Sequence, residues 1–160
     1  IMTNKNKKTL KIIAIITFIL IIGGGAYGFY LYNLPHRNVQ TSNTDHKVTV
    51  SELVNEYLSD PQEANKKYLA DDGDSKILEV TGTIKAIQEN FKKQKVIILQ
   101  QEGDKAGASF TFPAESATDL SNLETGQTIT LKGVIRSGPF YDADLDMYVN
   151  AVVDESDLII

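Results

Sequence analysis

"ILEVTGTIKAI", residues 77–87, is where the chain's architecture first becomes legible. Leu78, Val80, Ile84 and Ala86 recur at a period of two, which places them on one face of a strand. Gly82 interrupts that face midway, where a side chain would obstruct a sharp bend. A strand that bends in its middle belongs to a sheet that curls.

Downstream, four more runs extend the sheet. Val96, Ile97, Ile98 and Leu99 form a second strand, apolar on both sides. Ala108, Phe110 and Phe112 alternate in a third, which Pro113 ends. Residues 127–136 form a fourth, with Ile129, Leu131 and Ile135 around Gly133. Met147, Val149, Ala151 and Val153 make a fifth. Between the third and fourth, residues 114–123 predict a short helix with Leu120 and Leu123 inward. The fold class is mainly β with an N-terminal helix. Five strands with bend glycines in the first and fourth predict a five-stranded OB-fold barrel. Closure would remove the exposed edges of an open sheet. An open meander of the same strands is the alternative.

Upstream, Thr49-x-x-Glu52 is a capping box and opens a helix whose Leu53, Val54, Tyr57 and Leu58 recur at helical spacing. Asp60-Pro61, with Glu63, supplies a second cap with proline at the first helical position. Ala64, Tyr68 and Leu69 continue the stripe. Two helical segments, or one kinked helix, are expected over about 50–70, with their tyrosines and leucines in the core.

Charge divides the chain. Residues 1–44 carry Lys5, Lys7, Lys8, Lys11 and Arg37 and no acid; the rest holds 11 basic residues and all 21 acids, a net −10. Residues 12–32 are uncharged and mainly apolar, about 31 Å long as a helix and close to the hydrocarbon thickness of a bilayer. Four lysines precede the run and no lysine follows before Lys47, so the positive-inside rule keeps the N-terminus cytoplasmic. The expected organisation is a cytoplasmic basic head over 1–11, a transmembrane anchor over 12–34, a linker over 35–47 and an OB-fold domain over 48–160. A cleaved signal peptide ending near Gly24-Gly25-Ala26 is the alternative. Either places the acidic body outside the cytoplasm, on the periplasmic side.

The chain has no cysteine, which removes disulfides, thiol catalysis and thiolate metal sites. Both histidines, His36 and His46, fall in the expected linker, so imidazole catalysis has little material in the body. Acid pairs at Asp71-Asp72-Gly73-Asp74 and Asp154-Glu155 read as charged turns. No enzyme activity and no cofactor are expected.

OB folds bind ligands on the face of strands two and three, between the loops joining strands one to two and four to five. Here those loops are residues 88–95 and 137–145. Phe91, Lys92, Lys93 and Lys95 in the first, and Phe140 and Tyr141 in the second, are the candidate contact residues of a cleft. An aromatic among lysines suits stacking on a base beside phosphates. The net −10 opposes nucleic acid, whose affinity is largely counterion release by cations. Asp142, Asp144 and Asp146 raise a calcium-binding OB domain as a further alternative. Counted from Asp142, however, an EF-hand loop would need glycine where Met147 stands and glutamate where Val153 stands.

The body resembles the tRNA_anti-like OB-fold family. The resemblance lies in "VTVSELVNEYLSDPQEANKKYL", "ILEVTGTIKAI" and "LETGQTITLKGVI", with "YNLPHRNV" similar to anchored, Bacteroidetes-type members. It covers residues 48–153 and implies the barrel and no catalytic residue. The family's name suggests single-stranded, tRNA-like nucleic acid in the cleft. Where relatives end their last strand with cysteine, this chain has "VNAVVDESDLII". The reading is an extracytoplasmic binding module for a protein, peptide or polysaccharide.

Overall fold

The computed structural model describes residues 4–32, 38–69 and 75–159, with the backbone alone for residues 4–12, 14, 18, 19, 31 and 32. The acid cluster at residues 71–74, like His36, lies outside the described residues. The chain forms two compact units, Ile1–Arg37 and Asn38–Ile160.

The first unit is one helix, α1 (Asn4–Tyr32). Ile13, Ile15, Ile16, Leu20, Ile21 and Ile22 on it are each more than half exposed. Among the described residues no helix is long and apolar enough to cross a membrane. The crossing expected over 12–34 therefore finds no support there. Its apolar run includes Ile12, Ala14, Phe18, Ile19, Leu31 and Tyr32, whose side chains lie outside the described set.

The second unit begins with β1 (His46–Thr49), α2 (Val50–Ser59) and α3 (Pro61–Tyr68). Thr49 caps α2 as its sequence demands: its Oγ1 accepts from Glu52 N–H at 3.2 Å, and Glu52 Oε2 accepts from Thr49 N–H at 2.7 Å. Asp60 caps α3, accepting from the N–H groups of Gln62 and Glu63. The stripe Val50, Leu53, Val54 and Tyr57 is buried in the main core.

The barrel follows: β2 (Ile77–Glu89), β3 (Lys95–Leu99), β4 (Ala108–Thr111), β5 (Thr128–Ser137) and β8 (Ala151–Ile159). Its order is β2-β3-β4-β8-β5, closed by pairing of β2 with β5. The β4–β8 contact is parallel and the others are antiparallel. This closed circuit is the OB fold. β2 reaches both neighbours because its first half pairs with β5 and its second half with β3. A side chain on Gly82, at the changeover, would place its Cβ 2.8 Å from Val50 Cγ1, so the missing side chain admits α2.

Four expectations need correction. The register of β2 shifts between Ile84 and Ala86. The bulge turns Ala86 outward and brings Ile87 against the core, because one extra residue inverts a period of two. Residues 114–123 form turns, not a helix. Ser116 and Asp119 accept from the backbone N–H groups of Thr118 and Ser121, offering local bonds that compete with helical ones. Leu120 and Leu123 still pack inward.

The linker expected over 35–47 contains ordered structure. Val39 is buried with Ile77 and Val134, and Lys132 Nζ donates to the Ser42 carbonyl at 2.5 Å. Asp45 exchanges bonds with Ile77, and β1 pairs in parallel with β2 from His46 onward. Finally, the predicted fifth strand is two strands. Asn150 Oδ1 takes the Gly107 N–H at 2.9 Å, and the barrel strand starts only at Ala151. It then runs through Asp154 and Glu155, where a charged turn was expected.

Candidate functional site

The β2–β3 connection is a tight tip built by Asn90. Its Oδ1 accepts from the N–H groups of Lys92 at 2.9 Å and Gln94 at 3.0 Å, and its Nδ2 donates to Gln94 Oε1. Lys93 takes a left-handed φ of 60° to close the turn. Phe91 therefore stands fully exposed, with Lys92 and Lys93 exposed beside it. Lys95 differs: it is paired with Glu89 at 3.5 Å across the ladder.

The β5–β8 connection is a second hairpin, β6 (Phe140–Asp142) against β7 (Met147–Val149). Phe140 faces Val149, Tyr141 faces Tyr148, and Asp142 faces Met147. Cross-strand partners share a face of a ribbon. The Tyr141–Tyr148 face turns to the barrel: the rings lie 5.0 Å apart, Tyr148 packs on the core, and Lys105 Nζ sits 5.6 Å from its centroid. Phe140, Met147 and Leu145 stay about half exposed or more.

Two of the three aspartates use their carboxylates locally. Asp142 Oδ1 accepts from the N–H groups of Asp144 and Leu145, which makes the turn. Asp146, at φ 52°, accepts the Tyr141 hydroxyl proton, and that bond pushes the Tyr141 phenol above its ordinary value. Among the described residues no group of three carboxylate, histidine or cysteine side chains could hold a metal ion. The spacing of two comes from a four-residue turn, and the strand alternation expected through Asp146 stops there.

The two hairpins flank one sheet face from opposite ends. Ala86 pairs with Ile98, Ile98 with Ser109, Ser109 with Val152, and Val152 with Ser137. From that shared row β2 climbs to its tip while antiparallel β5 descends into β6. The tips leave the barrel at opposite ends. Phe140, Tyr141 and Asp142, Asp144 and Asp146 are brought together; Phe91, Lys92, Lys93 and Lys95 form a separate group. Between the tips lies the outer sheet face, made of Ala86, Val96, Ile98, Ser109, Thr111 and Val152. These six side chains are uncharged, and charged groups border them: Lys85 donates to Gln100, and Arg136 pairs with Asp154.

Sequence reasoning passed over Leu145, which it left in the loop over 137–145, and Met147, which it counted in the fifth strand. Two apolar residues interleaved with acids in a turn were the available signal.

The sequence profile of the tRNA_anti-like family matches residues 2–138. The chain belongs to the tRNA_anti-like family. The match to the tRNA_anti-like profile ends at Gly138, so β6, β7 and β8 lie beyond it. A solved structure, titled a "putative nucleic acid-binding lipoprotein" from Klebsiella pneumoniae subsp. pneumoniae, is similar with a TM-score of 0.52 at 16% identity. It covers 79% of this chain and 100% of its own, and the likeness is one of fold. No curated protein matches the chain.

Proposed function

We propose that this chain is a non-enzymatic OB-fold binding module, anchored in the membrane by α1 with its barrel outside the cytoplasm, and that its contact surfaces are the two hairpin tips. One observation carries the reading. Of the large exposed hydrophobic residues described in the second unit, all but Val152 and Ile159 lie on these hairpins: Phe91 on one, and Phe140, Tyr141, Leu145 and Met147 on the other. Exposed apolar groups gathered on projecting ribbons mark interaction sites. A protein, peptide or polysaccharide suits them better than nucleic acid, because the body is net −10.

The anchor rests on the uncharged run 12–32 behind four lysines and on the exposed isoleucines of α1. The non-enzymatic reading rests on the polar clusters being structural. Tyr68 and Lys67 both donate to Glu56, which holds that carboxyl below its ordinary value, and His46 sets its ring edge-on to Tyr68.

Crosslinking capture from envelope extracts tests the surface. Alanine at Phe91, Phe140 and Tyr141 together should abolish recovery of the partner, and unchanged recovery sinks the reading. Alkaline extraction should leave the full chain in the membrane fraction. A second reading, single-stranded nucleic acid, is favoured by exposed Phe91 standing beside Lys92 and Lys93 and by the name of the similar lipoprotein. Filter binding at low salt decides it: retention that falls when Lys92 and Lys93 become Glu would support it.

A further inference from the structure

The two tips have opposite chemistry. One presents an exposed ring with Lys92 and Lys93, neither of which is engaged in an ion pair. The other presents Phe140, Leu145 and Met147 bordered by Asp142, Asp144 and Asp146. A ring beside two cations fits an apolar patch rimmed by carboxylates. Within one molecule the fit cannot be used, since the tips leave opposite ends of the barrel. We infer that the β6–β7 hairpin of one copy receives the Phe91 tip of a second copy, a head-to-tail contact between barrels.

Physical arguments favour this occupant over others. The acidic body repels anionic lipid and nucleic acid alike, so the natural complement of its basic tip is an acidic, apolar surface, and the chain carries one. The receiving face is real surface: Phe140 and Met147 lie on the side of the ribbon away from Tyr148 and the core. Both tips are stiffened by side-chain bonds from Asn90 and Asp142, so little order has to be gained on docking. The hairpin lies beyond the residues matched by the family profile.

A head-to-tail contact uses two different patches, so every open assembly keeps one free tip and one free hairpin, and association continues past the dimer. That gives a test no symmetric dimer would pass. The second unit has its own core and closed barrel, so residues 38–160 can be studied alone by sedimentation velocity in low salt. The unaltered protein should form a concentration-dependent ladder of species that 0.5 M salt reduces. Lys92→Glu with Lys93→Glu should be monomeric, and so should Asp144→Asn with Leu145→Ser. Mixed one to one, the two variants should give dimers and nothing larger, because one retains a hairpin and the other a tip. Phe91→Ala should weaken association about tenfold or more.

Circular dichroism of each variant checks that the barrel is intact. A monomer at every concentration overturns the inference. So does association that survives the lysine reversals, which would mean hairpin meeting hairpin. The inference rests on the two tips being contact surfaces, and the outcomes separate. A monomer whose Phe91→Ala variant still loses capture of an envelope partner removes self-docking alone. A monomer whose capture is also unaffected removes both.

Discussion

Tyr57 combines several constraints at one position. Its ring lies flat on the backbone of Gly138, where any side chain would collide with it, and stacks on Tyr68 at 5.9 Å. Its hydroxyl is buried without a hydrogen-bond partner. Burial, with Tyr68 and Glu56 adding to it, pushes the phenol up to about 12. An unfolded tyrosine titrates near 10. The neutral phenol therefore contributes its full share of stability below pH 10, and that share is lost as pH rises through about 12. Tyr57→Phe should abolish this alkaline loss of roughly 2–3 kcal/mol and, by removing an unpaired buried hydroxyl, hold or raise stability at neutral pH. Denaturant titrations at pH 7 and pH 11 measure both effects. Gly138→Ala should cost about 2–3 kcal/mol in the same assay, since neither ring nor backbone can retreat far. Tyr57 as core was legible from helical spacing. Its contact with Gly138, 81 residues away, was not, because nothing local marks it.

The elements best announced by the sequence were those with local chemistry. The capping box at Thr49 and the Asp60-Pro61 cap appear as written, and Thr49→Ala should lower stability by about 1 kcal/mol in thermal melts. The elements misread were those in which a distant partner outweighs local pattern. Residues 114–123 have helical spacing, yet Thr118 bonds to Asp157 and the polar residues close turns. The last strand is cut at Asn150 because its amide oxygen meets Gly107. β1 forms out of an unpatterned linker because the first half of β2 has an unoccupied edge beside it.

For the folded unit as a body, the segment from Asn38 to Thr49 is a strap. It covers Ile77 and Val134 with Val39, and it satisfies the buried Lys132 through the Ser42 carbonyl. A protein beginning at residue 38 should unfold in one cooperative step. One beginning at residue 50 leaves Lys132 and Ile77 uncovered, and should melt about 10 °C lower, the effect of roughly 3 kcal/mol in a domain of this size. Calorimetry on the two compares them directly. The strap also changes the proposed attachment, because only residues 33–37 separate the end of α1 from the first residue of the folded unit. The sequence alone determined the barrel, its helical lead-in, the division of charge and the candidate loops, because alternation, caps and charge are local properties of the chain. The tertiary structure alone decided that the loops leave opposite ends of the barrel and that Asp142 and Asp146 are spent on their own turn. Those facts follow from strand direction, register and a bulge, which exist only once distant strands have paired.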